Sequence, residues 1–285
     1  MYRVSICLTI LITVALSCKK SESTARVSDL PASSTTDVAY GSGPSQKMDI
    51  YLPAGRTALN TPFILVVHGG GWTSGDKGEF NAVISRLQTL LPTYAFFNIN
   101  YRLFDGTNNK YPAQEEDVKA AANFIASKLG EYNISNKMVV MGASAGGHLA
   151  LLQGYKYNSP LKAKAIVSFF GPTDLVEFYN HPPSPALQPS LNALFGYSPE
   201  QNLSGYQQAS PAFFVNAQSA PTLLLHGNLD QLVPVAQSNL LINKLNVAGV
   251  SSKLVVYPNE GHGWMGTSLE DSYSQISSFL SAHVK

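Results

Sequence analysis

The segment that decides the fold is Met138-Val-Val-Met-Gly-Ala-Ser-Ala-Gly-Gly-His-Leu149. It opens with four apolar residues, as expected of a strand buried on both faces, and it closes on an alanine- and leucine-rich stretch typical of a helix. Between them, Gly142, Ser144 and Gly146 fit the G-x-S-x-G pattern, in which a sharp strand-to-helix turn exposes the serine. The residues around that serine have to be small because the turn is tight. The segment therefore predicts Ser144 as a nucleophile on a strained turn.

Apolar strands alternate with helical segments along the rest of the chain. The predicted strands are 48–52, 63–67, 94–100, 138–141, 165–170, 222–225 and 253–257. The predicted helices are 80–91, 113–129, the helix that follows Ser144, and 272–283. This alternation is typical of an α/β protein with a mostly parallel central sheet and helices on both faces.

One block, about 174–220, departs from this alternation. The stretch 173–220 contains six of the 17 prolines, a density that excludes sheet and long helices. We therefore predict a lid insertion of loops and short helices. Its aromatic residues either line a binding site or only pack the insertion: Phe178, Tyr179, Phe195, Tyr197, Tyr206, Phe213 and Phe214.

Composition excludes several classes of protein. The chain has 285 residues, 45% of them hydrophobic, and a net charge of +1, which gives no basic footprint for nucleic acid. Its 14 Tyr and 13 Phe provide apolar surface for a packed core, which argues against a disordered chain. Two cysteines cannot form a disulfide framework, and no Cys/His group has zinc spacing. We expect a globular protein without a metal or organic cofactor.

The N-terminus has the pattern of an export signal. Residues 1–18 carry Arg3, then an apolar run that ends in small residues and Cys18. The segment Ala15-Leu-Ser-Cys18 resembles a bacterial lipoprotein signal, in which the cysteine is lipidated; plain secretion with an incidental cysteine is the alternative. The Ser/Thr-rich stretch 19–38 is typical of a flexible tether, which leaves 39–285 as the folded domain. We expect an exported protein, periplasmic or tethered to the outer membrane by lipid, or secreted if it is not lipidated.

A glycine run follows the predicted strand 63–67. In His68-Gly-Gly-Gly-Trp72, glycine lets backbone N–H groups turn inward, as an oxyanion hole requires. We predict Gly70, Gly71 and Ala145 as the N–H donors. Trp72 either shapes the substrate pocket or only packs.

A serine nucleophile needs a histidine base and a carboxylate that orients it. His262 lies in a glycine-flanked loop directly after the last strand and is the predicted base. Asp230, a few residues after the strand 222–225, is the preferred acid, and Asp174 after the preceding strand is its rival. Asp174 could instead cap the first turn of the lid insertion. The other histidines, His68 and His148 among them, are poorly placed for a base.

Together these motifs resemble the α/β-hydrolase superfamily, and within it the hormone-sensitive-lipase relatives and the bacterial feruloyl/acetyl esterase group. The resemblance covers almost the whole chain after the tether, through 68–72, 75–77, 100–102, 142–149, 171–174, 233–234 and 261–264. It implies the α/β-hydrolase fold. It also implies that Ser144 is the nucleophile, Asp230 the acid and His262 the base. The chain lacks the helical cap that often precedes the first strands of hormone-sensitive-lipase relatives, which favours the smaller esterases.

The resemblance implies a serine carboxylesterase that acts on short-chain or aromatic acyl esters, with acetyl or feruloyl groups on carbohydrates as candidates. Small-molecule or oligosaccharide esters are the expected partners, with no nucleic acid and no membrane contact beyond a lipid anchor. The alternatives are an amidase, such as an arylformamidase or a peptidase-like hydrolase of the same fold, and a non-catalytic binding module.

Overall fold

The computed structural model of the chain describes residues 1–2 and 29–285. The predicted leader beyond residue 2, with Cys18, and the predicted tether up to residue 28 lie outside the described residues. Within 29–285, no helix is both long enough and apolar enough to cross a bilayer.

An eight-stranded sheet runs through the centre of the molecule in the order β1-β2-β4-β3-β5-β6-β7-β8. Strands β3 to β8 are parallel to one another, whereas β2 pairs antiparallel with both β1 and β4. The strands are β1 Ser33–Ala39, β2 Lys47–Leu52, β3 Phe63–Val67, β4 Ala95–Ile99, β5 Met138–Ala143, β6 Ala163–Phe169, β7 Thr222–Gly227 and β8 Ser252–Tyr257. This architecture confirms the predicted α/β-hydrolase fold.

Within residues 29–285, the chain forms eight α-helices and two short 3₁₀ helices. The α-helices are α1 Asn81–Leu90, α2 Ala113–Tyr132, α3 Ala145–Lys156, α4 Leu175–Asn180, α5 Leu187–Phe195, α6 Leu203–Gln208, α7 Ala236–Val247 and α8 Gly266–His283. The 3₁₀ helices are Lys77–Phe80 and Pro211–Phe213.

Two hydrophobic cores lie on opposite faces of the sheet, because side chains alternate along each strand. In β3, Phe63, Leu65 and Val67 face the core formed with α2, α3 and α7, which we call the α3 core. Ile64 and Val66 of the same strand face the core formed with α1 and α8, the α8 core. A strand buried on both faces has no alternation of apolar and polar residues, which is why these strands are continuous apolar runs.

The structure corrects the end of the predicted tether. Residues 33–38 belong to β1, which pairs with β2 at the edge of the sheet. Six of the seven β1 residues are exposed, so no apolar run reveals the strand. Its serine and threonine content matches that of a linker, yet threonine also favours strands. The Lys77 ammonium joins β1 to β2, with its Nζ 3.1 Å from carboxylate oxygens of both Asp37 and Asp49.

The lid insertion consists of short helices, α4 to α6 and Pro211–Phe213, between β6 and β7. Most of its aromatic side chains pack the insertion itself. Phe195 stacks on Tyr206 with ring centroids 4.4 Å apart, and on Tyr111, which precedes α2, at 4.7 Å. Of the seven aromatic residues singled out from the sequence, Phe178 lines the cavity beside Ser144.

Candidate active site

The turn between β5 and α3 holds Ser144 in a strained backbone conformation, with φ 55° and ψ −123°. A non-glycine residue rarely adopts a positive φ, and such strain concentrates at functional sites. The turn is also closely packed. A Cβ atom at Gly142 would lie 2.3 Å from the Gly146 carbonyl oxygen, and one at Gly146 would lie 2.2 Å from the Val67 carbonyl oxygen. Glycine is therefore required at both positions of the G-x-S-x-G pattern.

The three residues predicted as nucleophile, base and acid lie in one hydrogen-bonded chain. The Ser144 hydroxyl lies 2.9 Å from Nε2 of His262, and Nδ1 of His262 lies 2.7 Å from Oδ2 of Asp230. In the tautomer that satisfies both contacts, Nδ1–H donates to the carboxylate and Nε2 accepts from the serine. The residues come from the carboxyl ends of β5, β7 and β8, which meet at one edge of a parallel sheet.

The Asp230 carboxylate is buried and remains charged. Burial alone would raise the pKa of this carboxyl, but hydrogen bonds from His226, His262 and the Val233 N–H outweigh it and hold the pKa well below its usual range. The rival acid, Asp174, has a different role. Its Oδ1 accepts from the N–H groups at the start of α4, which makes it the N-cap of that helix.

The predicted oxyanion donors surround the serine. Gly70 and Gly71 have φ values of 101° and 58°. Glycine adopts these positive values readily because it has no Cβ atom. Within residues 29–285, the N–H groups of Gly70, Gly71 and Ala145 have no hydrogen-bond acceptor in the protein. Gly70, Gly71 and Ala145 all line the cavity beside Ser144. Three free donors at the wall of this cavity fit a site where negative charge develops.

His68 supports the glycine loop and is remote from the proton-transfer chain. Its ring is fully buried and stacks on Tyr101 with centroids 4.3 Å apart. Its Nδ1–H donates to the Gly69 carbonyl over 2.8 Å, and the Tyr101 hydroxyl donates to the same oxygen over 3.1 Å. Burial lowers the pKa of His68, so the ring is neutral near pH 7.

A cavity of about 600 Å³, which we call the main cavity, opens above Ser144. Trp72 lines it and also packs edge-on against His148, with ring centroids 5.2 Å apart, so this residue does not only pack. Glu79 adds an acidic side chain to the lining. Among the described residues, no group of three or more His, Cys, Asp or Glu is arranged to hold a metal ion.

His148 holds the lid insertion against α3. Its Nε2–H donates to the Ala209 carbonyl over 2.6 Å, and its side chain is fully buried. Burial lowers its pKa to about 4, because the charged ring would lose its hydration. It is therefore a neutral structural residue, as its position one turn after Ser144 suggests.

We expect this histidine to make the protein sensitive to acid. The unfolded chain binds a proton at His148 near pH 6.5 and the folded chain only at about 4, so stability falls as pH is lowered through this window. The loss of unfolding free energy between these two pH values approaches about 3 kcal/mol. His148→Gln keeps a donor for Ala209 and removes the titration, so its unfolding free energy, measured in urea from pH 7 to 4, should decline less steeply. The exposed His181→Gln is the matched control, and an equal slope in wild type and His148→Gln would contradict the prediction.

His226 is a site residue that the sequence reasoning missed. Its Nε2–H donates to the Val233 carbonyl over 2.8 Å and lies 3.3 Å from Oδ2 of Asp230, the oxygen that also accepts from His262. The Val233 carbonyl can only accept, which places the proton on Nε2, and Nδ1 then accepts from the Ser238 hydroxyl over 2.7 Å. The available signal was the spacing of His226 four residues before Asp230, across the turn that ends β7.

We expect His226→Phe to lower kcat about tenfold with little change in KM, which corresponds to one lost hydrogen bond to a charged group. Phenylalanine keeps the aromatic volume and removes the donor that faces Asp230. Steady-state kinetics on an ester substrate measure the effect. Thr222→Val, which removes a buried hydroxyl at the other end of β7, is the control. Equal losses in the two variants would indicate a purely structural role for His226.

Comparison with known proteins shows which family this chain is similar to. The BD-FAE family model matches residues 48–245. The chain is 30% identical over 236 residues to the probable carboxylic ester hydrolase LipM of Mycobacterium tuberculosis, covering 78% of this chain and 53% of LipM. Esterase LipC of the same organism is 26% identical, with 80% and 59% covered. The chain thus spans between one half and three fifths of the length of these curated relatives.

Solved structures show the same fold over a larger share of each chain. A truncated carbohydrate esterase from gut microbiota superposes with a TM-score of 0.72 and 26% identity, covering 89% of this chain and 98% of that one. An acetyl ester-xyloside bifunctional hydrolase from Caldicellulosiruptor lactoaceticus gives a TM-score of 0.68 and 26% identity, with 83% and 88% covered. These matches confirm the resemblance to the esterases of the α/β-hydrolase superfamily, and the chain belongs to the BD-FAE family.

Proposed function

We propose that this protein is a serine carboxylesterase that works through a covalent acyl-enzyme. The observation that carries the proposal is the continuous hydrogen-bonded chain from Asp230 through His262 to Ser144, which opens into the main cavity. Its similarity to an ester hydrolase, an esterase and a carbohydrate esterase supports the same class of reaction.

In the first half of the proposed reaction, Nε2 of His262 takes the Ser144 hydroxyl proton while Oγ bonds to the ester carbonyl carbon. The carbonyl π electrons move onto its oxygen, and the N–H groups of Gly70, Gly71 and Ala145 stabilise that charge. The imidazolium then protonates the alcohol oxygen as its bond to carbon breaks. Asp230 stabilises the imidazolium throughout.

In the second half, a water molecule replaces the alcohol. His262 takes a proton from the water as its oxygen bonds to the acyl carbon, and the same three N–H groups hold the oxyanion. The bond from carbon to Oγ then breaks, the proton returns to Ser144, and the carboxylic acid leaves. The protein's own residues supply every group that these two steps need.

We further propose that the substrates are short-chain or aromatic acyl esters of carbohydrates, such as sugar acetates or feruloyl esters. Two of the matching solved structures are those of a carbohydrate esterase and an acetyl ester-xyloside bifunctional hydrolase, which supports this choice. The main cavity offers an indole in Trp72 and a carboxylate in Glu79, groups on which a sugar can pack and to which its hydroxyls can donate.

The test compares an ester with its amide. The full-length protein is assayed with 4-nitrophenyl acetate and 4-nitroacetanilide, and then with acetylated xylo-oligosaccharides by acetate release. We expect hydrolysis of the ester and of the sugar acetates, and little hydrolysis of the anilide. A higher kcat/KM on the anilide would indicate an amidase instead, and a folded protein that turns over neither small substrate would contradict the proposal in favour of a binding module.

We also propose that the protein is exported and anchored through a lipid on Cys18. The apolar run before Cys18 and the Ser/Thr-rich stretch after it support this assignment. The mass of the N-terminal peptide of protein isolated from bacterial membranes tests it. We expect a diacylglycerol-modified cysteine that is absent in Cys18→Ala, whereas an unmodified Cys18 would leave plain secretion.

A further inference from the structure

A second cavity, which we call the side pocket, lies next to the main cavity and has a volume of about 180 Å³. Phe80, Val83, Ala143 and Phe170 line both cavities. Ala143 directly precedes Ser144, which itself lines the main cavity and not the side pocket. The two cavities therefore share a wall that lies one residue from the nucleophile.

The lining of the side pocket is entirely apolar. The residues that line it beyond the shared wall are Phe169, Trp264, Met265 and Leu269, together with Gly263, and the pocket is open to solvent at the exposed Met265. The one polar side-chain atom among them, Nε1 of Trp264, is turned away and donates to the Ser272 hydroxyl over 2.8 Å. A charged or hydroxylated group placed here would lose its hydration without gaining a partner, so the pocket favours an apolar group.

The two cavities extend toward different faces of the sheet. The side pocket is built from the α8 core, to which Phe80, Phe169 and Trp264 belong. The far wall of the main cavity comes from the α3 core and the lid insertion, through Trp72 and Phe178. The main cavity therefore has walls from both cores, whereas the side pocket lies on the face of the α8 core; of these two cavities, only the main cavity is lined by Glu79.

The volume of the side pocket indicates the size of group that its apolar walls can surround. An apolar protein cavity of about 150 Å³ accommodates one benzene molecule. At about 180 Å³, the side pocket therefore has room for one aromatic ring or a chain of about six carbons. A feruloyl group exceeds this size, and its phenol would lie among apolar side chains.

We propose that the side pocket binds the acyl group of the substrate and selects an apolar acyl chain of up to about six carbons or a single unsubstituted ring. This proposal rests on the proposed esterase function and narrows its substrates to acetyl and other small apolar acyl esters, without feruloyl esters. The acyl group stays bonded to Ser144 after the alcohol has left, which suits a pocket that begins at the preceding residue. The larger main cavity, with Glu79, then receives a polar alcohol such as a sugar.

The experiment measures kcat/KM of the full-length protein on 4-nitrophenyl acetate, butanoate, hexanoate, decanoate and benzoate. Leu269→Trp fills the side pocket from the start of α8, where Leu269 lines the side pocket but not the main cavity. Leu240→Trp, a half-buried leucine on α7 outside both cavities, is the matched control.

For wild type we expect kcat/KM to rise by up to about fourfold for each methylene group added from acetate to hexanoate, because each methylene is buried in the side pocket. With decanoate we expect kcat/KM to fall, because the chain is longer than the pocket. Leu269→Trp should lower kcat/KM on hexanoate and benzoate at least about tenfold more than on acetate, because the indole displaces the longer groups. Leu240→Trp should leave the ratio of kcat/KM between any two of these esters as it is in wild type.

Two outcomes would overturn the assignment of the side pocket. One is a wild-type profile without dependence on acyl length, with acetate still hydrolysed. The other is an equal loss on every ester in Leu269→Trp, since all share one alcohol and a pocket for the alcohol would affect all of them. Absence of acetate hydrolysis in folded wild type contradicts the esterase function itself, so the two failures are distinguishable.

Discussion

Ser144→Ala is expected to lower kcat on 4-nitrophenyl acetate by about 10⁶-fold, the loss typical of removing a serine nucleophile. Without Oγ, no acyl-enzyme forms, and His262 has no hydroxyl to deprotonate. The free N–H groups of Gly70, Gly71 and Ala145 remain, so a small residual rate above that of water is expected. The methyl group of alanine is smaller than the serine side chain and can occupy the same turn, so the variant should unfold at the same urea concentration as wild type.

Two measurements check this result. Steady-state kinetics give the loss, and intact-mass analysis after treatment with a reactive phosphonate ester should show one adduct in wild type and none in Ser144→Ala. Ser127→Ala, which removes an exposed hydroxyl on α2, is the control and should retain full activity and the adduct. Unchanged turnover in Ser144→Ala would remove Ser144 from the mechanism.

Asp230→Asn is expected to lower kcat by about 10⁴-fold. The asparagine amide cannot accept a charge-assisted hydrogen bond from Nδ1–H of His262, and its NH₂ group favours the tautomer whose Nε2 carries the proton. That nitrogen then donates toward Ser144 and cannot act as the base. KM should change little, because Asp230 lies behind His262 and is absent from the lining of the main cavity.

The rival acid provides the matched control for this prediction. Asp174→Asn makes the same chemical change at the N-cap of α4, where asparagine caps nearly as well as aspartate. We expect its kcat to stay near that of wild type. A large loss in Asp174→Asn together with a small one in Asp230→Asn would move the acid to the earlier strand.

The sequence predicts that Ser144, His262 and Asp230 come together, because each of them is marked by a pattern in its own segment. Gly142 and Gly146 mark the turn at Ser144, and His262 and Asp230 follow strands whose apolar runs are easy to recognise. Parallel strands end at the same edge of the sheet, so residues far apart in sequence must meet there. The observed distances between Ser144, His262 and Asp230 follow from that topology.

Other features depend on contacts that no local pattern encodes. Strand β1 is exposed along almost its whole length, so only its pairing with β2 distinguishes it from a linker. His226 acts through its distance to Asp230, which depends on the path of the turn after β7. The aromatic residues of the lid insertion have the same composition whether they pack together or face a substrate, and only the stacking of Phe195 on Tyr206 decides between these uses.

The position of the lid insertion has a consequence for how related enzymes can diverge. Strands β6 and β7 are direct neighbours in the sheet, although the whole insertion lies between them in the chain. A lineage can therefore lengthen, shorten or exchange this insertion without moving Ser144, Asp230 or His262. The side pocket, built from α1, α8 and strand ends, would be inherited with the scaffold, whereas the part of the main cavity wall that the insertion supplies, Phe178 and Leu187, could be replaced as one unit.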